Sequence, residues 1–225
     1  MTPHPPTWIR VSECFLSLQG EGPAAGTPAH FVRLQGCDVG CHWCDSKYTW
    51  GKSGGREISI DDALDEVRSL GEAPMLVITG GEPLQHEGVY ALLARSLGRW
   101  SRVEVETSGV EPPRMSHAHL FWNVSPKLPS VTPRWADTWA HARAWAQAPN
   151  ATFKLVVGSE RDRDDAVRLI AEHEVPAARV MLMPEGLTDD VVRAHAPIVV
   201  EACKRHGYRM SPRLHIWLWG PKRGV

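Results

Sequence analysis

The stretch Cys37-Asp38-Val39-Gly40-Cys41-His42-Trp43-Cys44 decides how the rest of the chain is interpreted. Its three cysteines are separated by three residues and then by two, so one short loop can direct three thiolates at a single point. Three thiolates on a [4Fe–4S] cluster leave one iron without a protein ligand, whereas electron-transfer clusters normally take four cysteines. An open iron can bind a reacting molecule, as the open position of a catalytic zinc does. A structural zinc site made of the three cysteines and His42 is the alternative.

The length and overall composition are typical of one α/β domain. The chain has 225 residues, of which 43% are hydrophobic and 23% are charged, and its formal net charge is -1. Barrels of the α/β class are routinely single domains at this length. The near-zero charge gives no electrostatic footprint for nucleic acid, and no apolar run is long enough to cross a bilayer. We therefore expect one domain over residues 1–225, with neither nucleic acid nor a membrane as partner.

Cysteine usage and the N-terminus indicate the compartment. Three of the five cysteines are clustered, which favours metal chemistry over a disulfide framework. Cys14 and Cys203 lie in apolar-leaning segments and are predicted to be small buried hydrophobes. Residues 1–6 are polar and proline-rich, and they lack the charged-then-apolar pattern of a secretory signal. The expected location is the cytoplasm.

Segments typical of strands alternate with segments typical of helices along most of the chain. The predicted strands cover residues 8–18, 30–34, 75–79, 103–106, 120–124, 152–157, 179–183 and 214–218. The predicted helices cover residues 60–70, 89–97, 136–147, 161–173 and 187–205, the last interrupted or shifted near Pro197. This order favours right-handed βαβ units and a parallel sheet. About six parallel strands are too few for a closed eight-unit barrel, so the expected fold class is α/β with a partial (open) βα barrel.

Polar, glycine-rich motifs follow several of the predicted strands. They are Gln19-Gly20-Glu21-Gly22, Gly80-Gly81-Glu82-Pro83, Thr107-Ser108-Gly109 and Ser125-Pro126-Lys127. In barrels and open α/β sheets, ligands bind at the carboxyl ends of the strands. The sequence therefore predicts a site at this edge of the sheet, next to the cysteine loop.

Two of these motifs together resemble the signature of the radical S-adenosylmethionine (SAM) superfamily. The first is the cysteine spacing with Trp43 before the last cysteine, and the second is Gly80-Gly81-Glu82-Pro83. Further stretches resemble the 7-carboxy-7-deazaguanine synthase family within it: Leu18-Gln19-Gly20-Glu21-Gly22, Phe31-Val32-Arg33, Cys44-Asp45-Ser46, Ser125-Pro126-Lys127 and Leu218-Trp219-Gly220-Pro221-Lys222-Arg223-Gly224-Val225. The matches span almost the whole chain and are least characteristic from Trp135 to His206.

The resemblance implies a carbon–nitrogen lyase (EC 4.3.99.3 type) of 7-deazapurine and queuosine biosynthesis. Its reaction would contract the ring of 6-carboxy-5,6,7,8-tetrahydropterin to 7-carboxy-7-deazaguanine and release ammonia. The implied cofactors are a [4Fe–4S] cluster, SAM and Mg²⁺, and they would supply the radical chemistry while the protein binds and orients the reactants. The implied partners are the small pterin substrate, an electron donor such as flavodoxin or ferredoxin, and a second copy in a homodimer.

The resemblance also implies roles for individual residues. Cys37, Cys41 and Cys44 would hold the cluster, and Ser46 would bind Mg²⁺, which often takes only one protein oxygen. The residues expected to contact SAM are Trp43, Cys44, Asp45, Gly81, Glu106, Ser125, Pro126 and Lys127. The residues expected to contact the substrate are Leu18, Gln19, Gly20, Arg33, Thr79 and Val225. No side chain is expected to act as the catalyst itself, because the cofactor radical does so.

Some of these roles have ordinary structural alternatives. Arg33 can grip a carboxylate with two parallel N–H bonds, or it can form a structural salt bridge. Glu106 can accept hydrogen bonds from a ribose or be a solvated surface residue. The tail ending at Val225 is expected to fold over the site and offer its carboxylate to the substrate's amino groups.

Two other functions fit parts of the pattern. A glycyl-radical activating enzyme would share the cysteine spacing, but it gives no reason for the stretch around Gln19 or for the C-terminal tail. A zinc-stabilised binding module would not be an enzyme at all. Iron content after anaerobic purification distinguishes the enzymes from the zinc module.

Overall fold

A computed structural model describes residues 7–225, and its strands form a single mixed sheet. The strands are β1 (Trp8–Leu18), β2 (Pro28–Leu34), β3 (Arg56–Ser59), β4 (Met75–Gly80), β5 (Arg102–Thr107), β6 (Leu120–Val124), β7 (Ala151–Val157), β8 (Val180–Pro184) and β9 (Arg209–Met210). Their order across the sheet is β3-β1-β2-β4-β5-β6-β7-β8-β9. The pairings from β2 through β9 are all parallel, and β1 runs antiparallel to both β2 and β3.

This topology confirms the predicted fold class. Beyond β4, each strand lies beside the strand that precedes it in the chain, which is the arrangement that successive βα units produce. The sheet ends at β3 on one side and at β9 on the other, so the barrel is not closed. All carboxyl ends of the parallel strands therefore meet at one open edge, where the motifs after β4, β5 and β6 lie. The Gln19-Gly20-Glu21-Gly22 motif follows the antiparallel β1 and begins at the opposite edge, level with the start of β2, so the predicted shared edge is wrong for this motif.

Seven α-helices complete the described fold. They are α1 (Ile60–Ser69), α2 (Val89–Ser96), α3 (Trp135–Trp139), α4 (Ala142–Gln147), α5 (Glu160–Glu172), α6 (Asp189–His206) and α7 (Leu214–Trp219). Side-chain oxygens of Ser59, Ser159 and Thr188 cap the amino ends of α1, α5 and α6, as helix starts require. None of these helices is both long and apolar enough to cross a bilayer.

Both faces of the sheet are buried, and each face packs against a different set of residues. Alternate residues such as Val32, Leu34 and Val105 join the large core that packs against the helices. The residues between them face the barrel interior, where Phe31 and Val77 belong to a small apolar cluster at one side. Polar residues such as Glu106 and Lys154 and apolar residues such as Val156 and Met183 line the rest of that interior and the site above it.

Several predicted boundaries are wrong. Residues 214–218, predicted as a strand, form α7, because a five-residue apolar run does not distinguish a strand from a helix. Strands β3 and β9 were not predicted, and the helix predicted over residues 136–147 is divided into α3 and α4. Helix α6 continues through Pro197 without a break. A proline inside a helix costs about 3 kcal/mol, which the burial of Val199, Ala202 and Cys203 offsets.

The two isolated cysteines differ in their environments. Cys203 is buried in the core, as predicted, whereas Cys14 is only half-buried. The prediction that residues 1–6 carry no secretory signal lies outside the described residues.

Candidate active site

A cavity of about 380 Å³ opens at the carboxyl ends of the parallel strands. It is lined by every residue predicted to bind cluster, cofactor, metal or substrate except Pro126. Pro126 is buried behind the lining, between Ser125 and Lys127. The C-terminal residues from Gly220 to Val225 also border the cavity. Segments far apart in the sequence therefore meet in one place.

The cysteine loop is held in place by hydrogen bonds that do not involve the Cys37 and Cys41 thiols. Thr132 donates its hydroxyl to the carbonyl of Val39 at 2.6 Å, and Arg134 donates to the carbonyl of Asp38 at 2.8 Å. His42 contacts the carbonyl of Val131 through its ring Nδ1 at 3.0 Å and does not line the cavity. The geometry therefore does not support His42 as the fourth ligand of a zinc site.

The three thiols of the loop border the same cavity. Burial raises the pKa of Cys37 and Cys41, although the charge of Lys127 acts in the opposite direction on Cys41. The backbone N–H of Ser46 donates to Cys44 Sγ at 3.4 Å. Within residues 7–225, no group of three His, Cys, Asp or Glu side chains has the arrangement of a metal-ion site. Three thiols facing one cavity are the donor set that an iron–sulfur cluster with an open iron uses, and binding it would displace their protons.

The turn after β4 fits closely against the cysteine loop. A Cβ at Gly81 would lie 2.1 Å from the carbonyl oxygen of Gly36 and 2.8 Å from Cys37 Cβ, so only glycine fits there. Glu82 donates its N–H to the Gly36 carbonyl at 2.9 Å. The backbone of the turn is thereby fixed directly beside the first cysteine.

The Glu82 side chain is a site residue that sequence reasoning missed. It is 2% exposed and accepts hydrogen bonds from Thr107 Oγ1 at 2.6 Å, from Ser108 N at 2.7 Å and from Ser108 Oγ at 2.5 Å. Its carboxylate therefore ties the turn after β4 to the end of β5. The Gly-Gly-Glu-Pro motif itself was the available signal, but only its glycine was assigned a role.

The segment after β6 approaches the cysteine loop from the opposite side. Lys127 donates to Ser125 Oγ at 3.0 Å, and its ammonium lies 5.8 Å from the centre of the Trp43 ring. The backbone carbonyl of Lys127 accepts from Trp139 Nε1 at 2.9 Å. The structure thus brings Trp43, Ser125 and Lys127 together, as predicted from the sequence.

An ion cluster occupies the barrel interior beneath these loops, and we call Glu21, Glu106 and Lys154 the interior cluster. Lys154 Nζ donates to Glu21 Oε2 at 2.6 Å and to Glu106 Oε2 at 2.7 Å, and its side chain is 4% exposed. Burial raises the pKa of Glu106, and the neighbouring carboxylates add to that rise against the opposing charge of Lys154. For Glu21, the charges of Lys154 and Arg213 overcome burial and lower the pKa. The charges of Glu106 and Glu21 outweigh the effect of burial and raise the pKa of Lys154.

The side chain of Gln19 points into this interior. Its amide nitrogen donates to Glu104 at 2.9 Å and to Glu106 at 3.1 Å, and its amide oxygen accepts from the N–H of Glu21 at 3.3 Å. Both amide donors are therefore used within the protein. The backbone N–H of Gln19 donates to the Thr27 carbonyl at 2.8 Å and its carbonyl accepts from Gly26 N–H at 2.7 Å, so only spare acceptor positions on its two carbonyl oxygens remain for a ligand.

Two further residues of the site come from the C-terminal segment. Arg213 donates to Asp45 at 2.6 Å, to Glu21 at 3.3 Å and to the Gly186 carbonyl at 2.5 Å, so it joins three separate loops. The ring of His215 packs on Gly20, where a Cβ would lie 2.3 Å from its Nδ1. Burial lowers the pKa of His215 in spite of the nearby Glu21 carboxylate. No spacing or motif marked either residue in the sequence.

A second ion cluster lies where the cavity meets solvent, and we call Glu13, Arg33 and Arg223 the mouth cluster. Glu13 Oε1 accepts from Arg33 Nε at 2.6 Å and from the Tyr48 hydroxyl at 2.7 Å. Arg223 lies 3.5 Å from Glu13 Oε2 and stacks on the Tyr48 ring, 3.4 Å from its centre. Burial raises the pKa of Glu13, but the bond from Tyr48 and the charge of Arg33 outweigh it and lower that pKa. Arg33 is therefore both salt-bridged and placed at the cavity.

Comparison with known proteins places this geometry in context. Residues 31–209 match the profile of the Radical SAM superfamily. The chain is 38% identical to 7-carboxy-7-deazaguanine synthase of Pyrobaculum aerophilum, with 96% of this chain and 97% of the relative covered. It is 32% identical to the Escherichia coli enzyme of the same name, over 92% and 97% of the two chains. The crystal structure of QueE from Escherichia coli superposes with a TM-score of 0.68 and 30% identity, covering 91% of this chain and 93% of that one.

Proposed function

The chain belongs to the radical SAM superfamily and, within it, to the 7-carboxy-7-deazaguanine synthase family, and from this membership we propose that it catalyses the ring contraction named for that family. Its substrate is 6-carboxy-5,6,7,8-tetrahydropterin, and its products are 7-carboxy-7-deazaguanine and ammonia, on the route to queuosine and related 7-deazapurines. The observation that carries the proposal is the convergence of three thiols, the Gly81 turn and Arg33 on one cavity.

Cys37, Cys41 and Cys44 would hold a [4Fe–4S] cluster as thiolates, leaving one iron for the amino and carboxylate groups of SAM. When bound, the cluster and SAM supply a one-electron cleavage that yields a radical able to take hydrogen from an unactivated carbon. The protein's part is to place the substrate carbon beside that radical and to keep competing reactants out. The close approach of Gly81 to Cys37 supports an SAM-binding backbone at this position.

The loops around the cysteines would make the remaining contacts with SAM. Trp43 and Asp45 would lie against the nucleoside, with Asp45 held by Arg213. Ser125 and Lys127 line the opposite wall, and Pro126 would act only by fixing their direction. Glu106 uses three of the about four acceptor sites of a carboxylate on Gln19, Asn123 and Lys154, which leaves room for one ribose hydroxyl.

The substrate carboxylate would bind to Arg33. Its Nε is taken by Glu13, while its two terminal nitrogens have no hydrogen-bond partner among residues 7–225. These two nitrogens offer the parallel donors that bidentate carboxylate recognition needs. Thr79, the backbone from Leu18 to Gly20, and the carboxylate of Val225 border the same space and would contact the pterin.

Mg²⁺ would bind at Ser46. This residue is 9% exposed, lines the cavity, and has its hydroxyl 3.6 Å from Cys44 Sγ. A single protein oxygen is enough for Mg²⁺ when substrate and water supply the rest of its octahedral shell.

The proposal extends to the domain organisation, the oligomeric state, the electron donor and the compartment. We propose that the chain acts as one domain whose C-terminal tail closes on the site, and that it works as a homodimer. The cluster would need an electron donor such as a flavodoxin or ferredoxin. Thiols that must stay reduced to bind iron suit the cytoplasm.

The test is direct turnover. Anaerobically reconstituted, reduced protein is incubated with SAM, Mg²⁺ and the carboxylated pterin, and the deazaguanine product is identified by mass. We expect product to exceed the SAM consumed, because the abstracted hydrogen is returned and SAM is regenerated. Methionine accumulating in step with product would contradict the regeneration, and an unchanged pterin would overturn the proposed function.

A further inference from the structure

We propose that Arg223, Tyr48 and Glu13 form a latch that couples closure of the C-terminal tail to the carboxylate-binding Arg33. In this latch Arg223 is a positioning residue, which acts through Tyr48 and Glu13 rather than on the reacting atoms. The proposal rests on the proposed function, since it takes Arg33 as the residue that binds the substrate carboxylate. It assigns to the tail a role in binding that goes beyond its terminal carboxylate.

The contacts of the tail support this role. Beyond Gly220, which donates to the Ile216 carbonyl at 2.9 Å, no backbone hydrogen bond ties residues 221–225 to the rest of the described chain. The polar contacts of the tail are those of Arg223 with Glu13 and with the ring of Tyr48. Its position over the cavity therefore depends on one side chain.

Glu13 connects that side chain to Arg33. Its Oε1 accepts the bond from Arg33 Nε, and its Oε2 faces Arg223. Tyr48 contributes twice, with its ring under Arg223 and its hydroxyl on Glu13 Oε1. A shift of the tail would thus move Glu13 and, through it, change the position of the Arg33 guanidinium.

The charges of the mouth cluster suit an anionic ligand. Two guanidinium groups share one carboxylate, which leaves one positive charge uncompensated. A substrate carboxylate on the free nitrogens of Arg33 would neutralise it. Substrate binding should therefore strengthen the closed tail, and the closed tail should strengthen substrate binding, because coupling between two events is reciprocal.

Two variants of Arg223 test the latch against a matched control. Arg223→Ala removes both the charge and the stacking, and Arg223→Lys keeps the charge but loses the planar stack. We expect Arg223→Ala to raise KM for the pterin about tenfold with kcat little changed, since a stacked cation contributes about that much to binding. Arg223→Lys should recover less than half of that loss. Arg161→Ala removes an exposed arginine far from the cavity and should leave both constants unchanged.

Release of Val225 by carboxypeptidase supplies a readout that needs no turnover. In unreduced protein with SAM bound, the pterin should slow this release for the natural sequence and fail to do so for Arg223→Ala. Absence of pterin turnover by the natural sequence would count against the proposed function. Normal turnover, with an unchanged KM and equal pterin protection in Arg223→Ala, would overturn the latch.

Discussion

The two ion clusters that border the cavity are built from the same kinds of side chain but differ in what they leave unsatisfied. In the interior cluster the ammonium of Lys154 is 4% exposed and lies between Glu21 and Glu106. In the mouth cluster the side chain of Arg33 is 19% exposed and that of Arg223 is 55% exposed. Arg213 adds a second positive charge to the interior cluster at Glu21. In the mouth cluster two guanidinium groups share one carboxylate, and Arg33 keeps free donors.

This difference separates the structural role from the binding role. Buried charges are costly to leave unpaired, so the interior cluster should govern stability and the orientation of Glu106. Solvent screens the pair of Arg223 with Glu13, so that pair should contribute little to stability. The free donors of the mouth cluster can instead be used on a ligand. Each prediction below tests one side of that division.

The largest effect is expected from Lys154→Met. Removing the ammonium leaves Glu106 buried without a counter-charge and leaves Glu21 with Arg213 alone, and breaking a buried pair in this way costs about 3–5 kcal/mol. Chemical denaturation at pH 8 should show that loss in the free energy of unfolding. Burial already raises the pKa of Glu106, and loss of the Lys154 charge should raise it further above that of the unfolded chain. Protonation relieves the penalty, so the loss should shrink as the pH is lowered toward 5.

The matched control for Lys154→Met is the double variant that also carries Glu106→Gln. It removes the buried charge that Lys154 alone balanced and leaves Glu21 paired with Arg213, so much of the stability should return. A destabilisation of Lys154→Met that does not depend on pH would show that packing, rather than charge, accounts for the interior cluster.

The second prediction concerns Arg33→Lys at the mouth. Charge-assisted hydrogen bonds contribute about 1.5–3 kcal/mol, so kcat/KM for the pterin should fall about tenfold to a hundredfold. The free energy of unfolding should change by less than about 1 kcal/mol, because the ion pair with Glu13 is partly exposed. Arg10→Lys, at an exposed pair with Glu57, is the control and should alter neither quantity. An Arg33→Lys variant with normal kcat/KM would remove Arg33 from the substrate site.

The smallest effect is expected from Tyr48→Phe. This change deletes the bond to Glu13 but keeps the ring on which Arg223 stacks. A hydrogen bond to a charged group contributes about 1.5–3 kcal/mol, but Glu13 keeps its bond from Arg33, so stability should fall by less than that. KM should rise less than it does in Arg223→Ala. A rise as large as that of Arg223→Ala would mean that the hydroxyl, and not the stack, positions the tail.

Much of the fold could be predicted because its strands are apolar runs ended by glycine motifs. The cysteine loop, the Gly81 turn and the Ser125 segment follow β2, β4 and β6. Topology alone brings such ends together at one edge. The strand prediction for residues 214–218 is wrong because five apolar residues fit either periodicity. In α7, Trp217 is exposed and Ile216 is buried, so this helix packs against the protein with one face.

The pairing of polar side chains could be predicted much less. Lys154 had a visible signal, since a charged residue inside the apolar run 152–157 is rarely buried without a partner. Its partners, Glu21 and Glu106, lie on other segments, and nothing in the sequence pairs them. The same holds for Gln19, whose amide nitrogen bonds to Glu104 and Glu106 on β5. Side-chain direction depends on the packing of the whole barrel.

The most direct test of the account is spectroscopic. Protein reconstituted anaerobically should hold about four irons per chain, as a [4Fe–4S] cluster requires, and SAM should shift the electron paramagnetic resonance signal of its reduced form. Replacing Cys37, Cys41 or Cys44 by alanine should abolish both the iron and the shift. A reduced cluster whose signal is unaffected by saturating SAM, or full iron content in any of the three variants, would contradict an open iron held by these cysteines.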